Sequence, residues 1–146
     1  MKYNLGKGKK GLNGYINLDK DDFDLNKIPL PLKTNSGGEI ILDNVLEHLK
    51  NRYDLTVDIN RILKKNGFAL ITLPVFNPNL SHESYIHTDN YFDVVSKTDD
   101  NSIQNKQLFN IKIKYNWNDL KGIKYALWKL FQLIFIGSIT FKLTKK

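Results

Sequence analysis

The spacing of apolar and polar positions changes along this chain, and each change predicts an element. Residues 2–5 (KYNL) and 15–18 (YINL) are short extended runs joined by a Gly/Lys-rich connection rather than a full helix. Residues 24–38 (DLNKIPLPLKTNSGG) read as a long loop, because Pro29 and Pro31 disfavour regular structure and Asn35 to Gly38 is turn chemistry. EIILD, residues 39–43, predicts a buried strand leading into VLEHL. From Asp54 to Lys65 the pattern becomes helical: Leu55, Ile59, Ile62 and Leu63 share one face, with Asp58, Arg61 and Lys65 on the face toward water. Asn66-Gly67 then predicts the helix stop and the turn into FALITL, residues 68–73, which Pro74 ends. Strand, helix, strand in this order is a βαβ unit and predicts a parallel sheet with right-handed crossovers.

Beyond Pro74, Thr88 is placed to cap a helix carrying Tyr91, Phe92 and Val95, and residues 96–107 read as an exposed loop. LFNIKIKYNW, residues 108–117, alternates Phe109, Ile111, Ile113 and Tyr115 with polar partners, as a half-covered or edge strand does. A helix from about Leu120 to Ile136 is broken by Gly137-Ser138, and ITFKL returns as a last strand. The late strands are free to pair antiparallel. The whole chain, 1–146, is expected to form one α/β domain.

Composition narrows the chemistry. At 41% hydrophobic and 25% charged, the chain is globular rather than disordered. It contains no cysteine, which removes disulfides, thiolate catalysis and thiolate-ligated metal centres. The formal charge of +7 favours anionic partners, but no stripe of alternating basic and aromatic residues supports nucleic-acid binding. MKYNLGKGKKG lacks the apolar stretch of a secretory signal, so a cytoplasmic protein is expected. The apolar runs of residues 120–136 are too short for a comfortable membrane span. That segment is expected to cover the sheet, with homodimer contact or peripheral membrane attachment as alternatives.

The candidate chemistry begins at YNLGKG, residues 3–8. A strand breaking into Gly6 and Gly8, followed by a second strand ending in Asp19, suits a nucleoside-bearing ligand. Glycines let the backbone approach it, and a carboxylate accepts ribose hydroxyls. Taken alone this pattern also fits a simple tight turn. GKGKKG lacks the GxxxxGK[ST] of a phosphate-binding loop. Gly6, Gly8 and Gly11 have GxGxxG spacing, yet the chain then moves toward a strand instead of opening a helix.

Read in order, YNLGKG, GYINLD, DFDLNKIPLPL, GGEIILDNVLEHL, INRILKKNGFALITLP and SHESYIHTDNYF resemble a small class I S-adenosylmethionine-dependent methyltransferase of the type 11-like branch. The resemblance covers nearly the whole chain and is strongest over residues 2–76. It implies a Rossmann-like class I methyltransferase fold, compact, with a mostly parallel sheet and a late antiparallel strand, trimmed where the proline-bearing loop replaces the usual third strand. It further implies S-adenosyl-L-methionine as cofactor. Gly6, Lys7 and Gly8 would lie beside its methionine part, Asp19 at the ribose hydroxyls, Asp24 and Leu25 at the adenine, and Asn44 and Val45 at the methionyl end. The branch implies a small-molecule or glycan-related acceptor.

Three departures leave two outcomes open, an active methyltransferase or a catalytically inactive methyltransferase-like binding or assembly protein. Lys7 stands where the branch commonly has cysteine, Gly37-Gly38 where it has Phe-Asp, and Asn44 where it has histidine. Methyl transfer needs orientation of donor and acceptor, and a base only when the acceptor must lose a proton. His82 and His87, with Glu83 and Tyr85 between them, are the candidates for acceptor orientation or proton transfer. No third well-placed ligand joins them, so no metal is expected. His48 in VLEHL is expected to stabilise the strand–helix junction.

Overall fold

A computed structural model describes residues 1–9, 11–74, 108–116 and 138–146. Six strands form one sheet: β1 (Lys2–Leu5), β2 (Ile16–Leu18), β3 (Gly37–Asp43), β4 (Leu63–Pro74), β5 (Phe109–Asn116) and β6 (Ser138–Lys145). Their order is β2-β1-β3-β4-β6-β5, parallel from β2 to β4 and antiparallel at β4–β6 and β6–β5. The chain therefore reverses its direction of travel across the sheet between β1 and β3, next to the middle of the parallel portion.

Alternation sorts the strand residues onto two faces. Tyr3, Leu5, Ile40, Leu42, Ala69, Ile71, Phe141 and Leu143 fall in register on one face and are buried. Helix α1 (Arg52–Ile62) covers them with Leu55, Ile59 and Ile62. The opposite face carries Lys2, Glu39, Ile41, Phe68, Leu70 and Lys142, and the Lys142 ammonium stands 4.0 Å from the Phe68 ring centroid.

The sequence places α1 three residues too far: the helix ends at Ile62, and Leu63 to Lys65 already belong to β4. Leu63 is buried and pairs with Gly37, and the β3–β4 register then shifts before Glu39 pairs with Phe68. Asn66, at φ 63°, and Gly67 lie inside that irregularity instead of capping the helix. A β-carbon on Gly67 would come within 2.9 Å of the Lys64 carbonyl oxygen.

Asp58 is a second correction. It does not face water but is 4% exposed, because the 24–36 loop packs over its side of α1. Its carboxylate accepts the Leu30 N–H at 2.9 Å and pairs with Arg61 through Nε and Nη2. The remaining Arg61 donors reach the Leu30 and Leu32 carbonyls and the Thr34 hydroxyl. All five guanidinium N–H groups are thus engaged. This clamp holds the loop without strand pairing, and lets Leu30 enter the core with Phe23, Leu25, Ile28 and Leu32 packed around it.

Candidate functional site

The carboxyl ends of β2, β1 and β3 meet where the strand order reverses, the place at which open α/β sheets receive ligands. Gly6, Lys7 and Gly8 follow β1, Asp19 follows β2, and Asn44 and Val45 follow β3. Gly6 and Gly8 adopt φ of 74° and 54°, conformations that glycine enters without strain. A β-carbon on Gly6 would stand 2.6 Å from Val45 Cγ2, so the first glycine also allows the turns after β1 and β3 to touch. Around Gly8 nothing lies within 4 Å of such a carbon.

Asp19 joins the other side of this turn. Its Oδ2 accepts the Gly8 N–H at 2.9 Å and its Oδ1 accepts the Lys20 N–H at 2.8 Å. Its own N–H donates to Asp22. An ionised carboxylate offers about four acceptor sites. Two remain for a vicinal diol, so the ribose of a nucleoside fits this residue. The Gly6 and Lys7 N–H groups both donate to the Leu18 carbonyl, at 2.8 and 3.2 Å. With Gly8 held by Asp19, the turn keeps its N–H groups for itself and does not form the anion-binding nest that a pyrophosphate needs. Lys7 is exposed.

Asp24 and Leu25 sit in the next turn. Asp24 is exposed, with Oδ1 accepting the Asn26 N–H at 2.9 Å, whereas Leu25 is half-buried against the core. Asn44, exposed at φ 52°, donates its N–H to the Thr72 carbonyl at 3.0 Å. Asparagine enters this left-handed region more readily than most residues. Val45 is buried, and a short 3-10 turn, Leu46–His48, follows it. His48 is exposed, and its N–H donates to the Val45 carbonyl at 3.1 Å, a backbone bond that steadies the junction. Gly37 lies against the Tyr3 ring, where a β-carbon would be 3.3 Å away, so Tyr3 takes the room beside it.

His82, Glu83, Tyr85 and His87, the helix expected after Thr88, and the 120–136 helix lie outside the described residues. Among the described residues no cluster of three metal-ligating side chains occurs, and no helix is long and apolar enough to cross a membrane.

Sequence reasoning missed the asparagines that shape this site. Asn17 accepts from Asn4 Nδ2 and the Leu12 N–H, and donates to the Leu12 and Tyr15 carbonyls. This pins the 6–15 connection over buried Asn4. Tyr15, at its end, donates to Glu39 at 2.5 Å, and Lys2 pairs with the same carboxylate at 2.9 Å. The Tyr15 hydroxyl, with Lys2, holds the Glu39 carboxyl below the usual carboxylate range, while the same bond raises the Tyr15 phenol. A polar residue between two apolar ones in a three-residue strand reads only as alternation, so nothing in the sequence marked Asn17.

No protein-family model and no curated protein matches the sequence. Solved structures do match in fold. An S-adenosylmethionine-dependent methyltransferase from Archaeoglobus fulgidus matches with TM-score 0.60 and 13% identity, covering 91% of this chain and 68% of that one. A chain from the Haloferax volcanii complex of a methyltransferase with a methyltransferase activator gives TM-score 0.59 and 14% identity, covering 98% and 80%. An S-adenosylmethionine-dependent methyltransferase from Thermotoga maritima gives TM-score 0.56 and 15% identity, covering 91% and 65%. This chain thus spans about two thirds of the Archaeoglobus and Thermotoga proteins. At such identities the likeness is one of architecture: the mostly parallel sheet, its strand order and its antiparallel last strands are those of a Rossmann-like class I methyltransferase fold.

Proposed function

We propose that this protein binds S-adenosyl-L-methionine at the carboxyl edge of β1, β2 and β3 and transfers its methyl group to a small-molecule or glycan-related acceptor. The observation that carries the reading is Asp19, fixed on the Gly8 N–H at the point where strand order reverses, with acceptor sites left for a ribose diol. A glycine turn whose N–H groups are consumed by Leu18 and Asp19 supports a nucleoside without a pyrophosphate over a dinucleotide. In this reading Gly6, Lys7 and Gly8 border the methionine part, Asp24 and Leu25 the adenine, and Asn44 and Val45 the methionyl end. His82 and His87 orient the acceptor or take its proton.

When bound, the cofactor would supply an electrophilic methyl carbon, which an acceptor lone pair attacks in line as the carbon–sulfur bond breaks and S-adenosylhomocysteine leaves as a neutral thioether. The chain's contribution is to fix the nucleoside and hold the acceptor on the opposite side of the methyl carbon. Calorimetric titration with S-adenosylmethionine and S-adenosylhomocysteine tests the binding step. Wild type binds both, and Asp19→Ala weakens each by at least about tenfold, since charge-assisted hydrogen bonds are lost. Failure of the folded wild type to bind either would sink the proposal. Unchanged binding by Asp19→Ala would remove Asp19 from the ribose.

Lys7 favours a second reading, cofactor binding without turnover in a binding or assembly protein. An exposed ammonium in the turn bordering a sulfonium sets like charges together. Under it S-adenosylhomocysteine, whose sulfur is neutral, binds more tightly than S-adenosylmethionine, and Lys7→Ala narrows the difference.

A further inference from the structure

We propose that Asn26 is a positioning residue: it closes a ring of contacts around the candidate cofactor cleft and fixes the distance between its two ends. The inference rests on the S-adenosylmethionine reading above and concerns residues outside the set that would touch the ligand.

The ring can be followed bond by bond. Asp19 holds Gly8, and Gly6 packs on Val45 across the ends of β1 and β3. From Val45 the 3-10 turn runs through backbone bonds from His48 to Val45 and from Leu49 to Leu46, and delivers Lys50 and Asn51 to the start of α1. There the Lys50 N–H donates to Asn26 Oδ1 at 2.9 Å, and Asn51 Nδ2 donates to the Asn26 carbonyl at 2.9 Å. Asn26 in turn donates through its N–H and Nδ2 to Asp24 Oδ1, at 2.9 and 3.3 Å. The Asp19 carbonyl, accepting from Asp22 and Phe23, leads back to the start.

Two properties set Asn26 apart on this circuit. It spans 24 residues of sequence to reach Lys50, so it ties together segments that no strand pairing joins directly. It also uses both ends of its amide, accepting from Lys50 in the segment that follows Val45 and donating to Asp24. An aspartate would keep the acceptor but set a second carboxylate beside Asp24, and alanine would keep only the backbone bonds. The amide is the side chain that serves both directions.

A ring that fixes the separation of two subsites favours a ligand long enough to fill both, because less ordering is left to occur on binding. A ligand filling one subsite gains little from it. The test compares S-adenosylhomocysteine with 5′-methylthioadenosine, which lacks the amino-acid portion, on wild type, Asn26→Ala and Asn51→Ala. The expected result is about tenfold weaker binding of S-adenosylhomocysteine by Asn26→Ala, with methylthioadenosine changed less than about threefold. Asn51→Ala, which removes a single bond of the tie, shows the same pattern at smaller size and carries the test if Asn26→Ala does not fold.

Equal weakening of both ligands, or S-adenosylhomocysteine binding unchanged in both variants, would overturn the proposal. Amide hydrogen exchange at Lys50 reads the tie without any ligand and should accelerate in Asn26→Ala; an unchanged rate also overturns it. If wild type binds neither ligand while Lys50 exchange responds, the cofactor reading has failed and the positioning role falls with it, although the structural tie stands.

Discussion

Replacing Arg61 should unfasten the 24–36 loop from α1. The Arg61→Met substitution keeps most of the aliphatic stem and deletes the guanidinium. Asp58, at 4% side-chain exposure, then keeps the Leu30 N–H but loses its counter-charge, while the Leu30 and Leu32 carbonyls each lose a donor. Removing one partner of a buried ion pair costs about 3–5 kcal/mol. Arg61 itself is 30% exposed, so water already screens part of the pair and the expected loss sits near the lower bound, about 3 kcal/mol. Against a total stability of roughly 5–15 kcal/mol for a domain, that is a large fraction. Urea denaturation at neutral pH measures it as a lower midpoint with an unchanged slope.

Arg61→Lys keeps the charge but cannot reach five acceptors from one ammonium, so it should fall between wild type and Arg61→Met. The pair Asp58→Leu with Arg61→Met removes the stranded carboxylate, and the double variant should be less destabilised than the sum of the singles by about 2 kcal/mol. A loss below about 1 kcal/mol for Arg61→Met would refute the reasoning, because that is the size of a solvated surface pair.

Two further perturbations read the two ends of the parallel strands, Gly6 after β1 and Glu39 near the start of β3. Gly6→Ala places a β-carbon 2.6 Å from Val45 Cγ2 at φ 74°, so overpacking and left-handed strain together should cost about 2–4 kcal/mol in urea denaturation, part of which Val45→Ala restores. Glu39→Gln should flatten the acid limb of stability. The Glu39 carboxyl is held below its ordinary value, chiefly by the Tyr15 hydroxyl, so its contribution is present above the unfolded carboxylate pKa of about 4.3 and is lost as pH falls through the lower folded value. Melting temperatures of the two proteins from pH 6 downward should differ at the upper end and converge at the lower; curves that run parallel throughout would contradict this.

How far the sequence was legible depended on whether a residue's partner was near in the chain. Strand alternation such as Ala69, Ile71 and Leu73 reports burial through local spacing, and β3, β4 and the late strands could be read from it. The glycine turn and Asp19 were visible for the same reason, both lying at the ends of short extended runs. Asp58 was misread because helical periodicity shows which residues share a face but not whether a loop from 28 residues earlier covers it. Leu63 to Lys65 were misplaced because Leu63 continues the apolar stripe of α1, and only its pairing with Gly37 assigns it to the sheet. Asn17 and Asn26 left no signal, since an asparagine that joins distant segments looks like one that marks a turn.

The connection between β1 and β2 bears on which ligand the edge suits. In a Rossmann-like sheet a helix after the first glycine turn would aim its positive N-terminal dipole at the ligand and favour anions. Here the described part of residues 6–15 contains no helix, and Asn17 pins the connection with three side-chain hydrogen bonds while a fourth joins it to Asn4 of β1. Both acceptor sites and both donors of that amide are used, so Asn4 Nδ2, the Leu12 N–H and the Leu12 and Tyr15 carbonyls find partners without helical bonding. The turn thus lacks a dipole to hold a pyrophosphate, and its own N–H groups are already committed to Leu18 and Asp19. What remains at the edge is the Asp19 carboxylate with two acceptor positions open, which under the proposed reading receive a ribose diol. The pyrophosphate of a dinucleotide would instead meet backbone N–H groups of this turn that are already engaged.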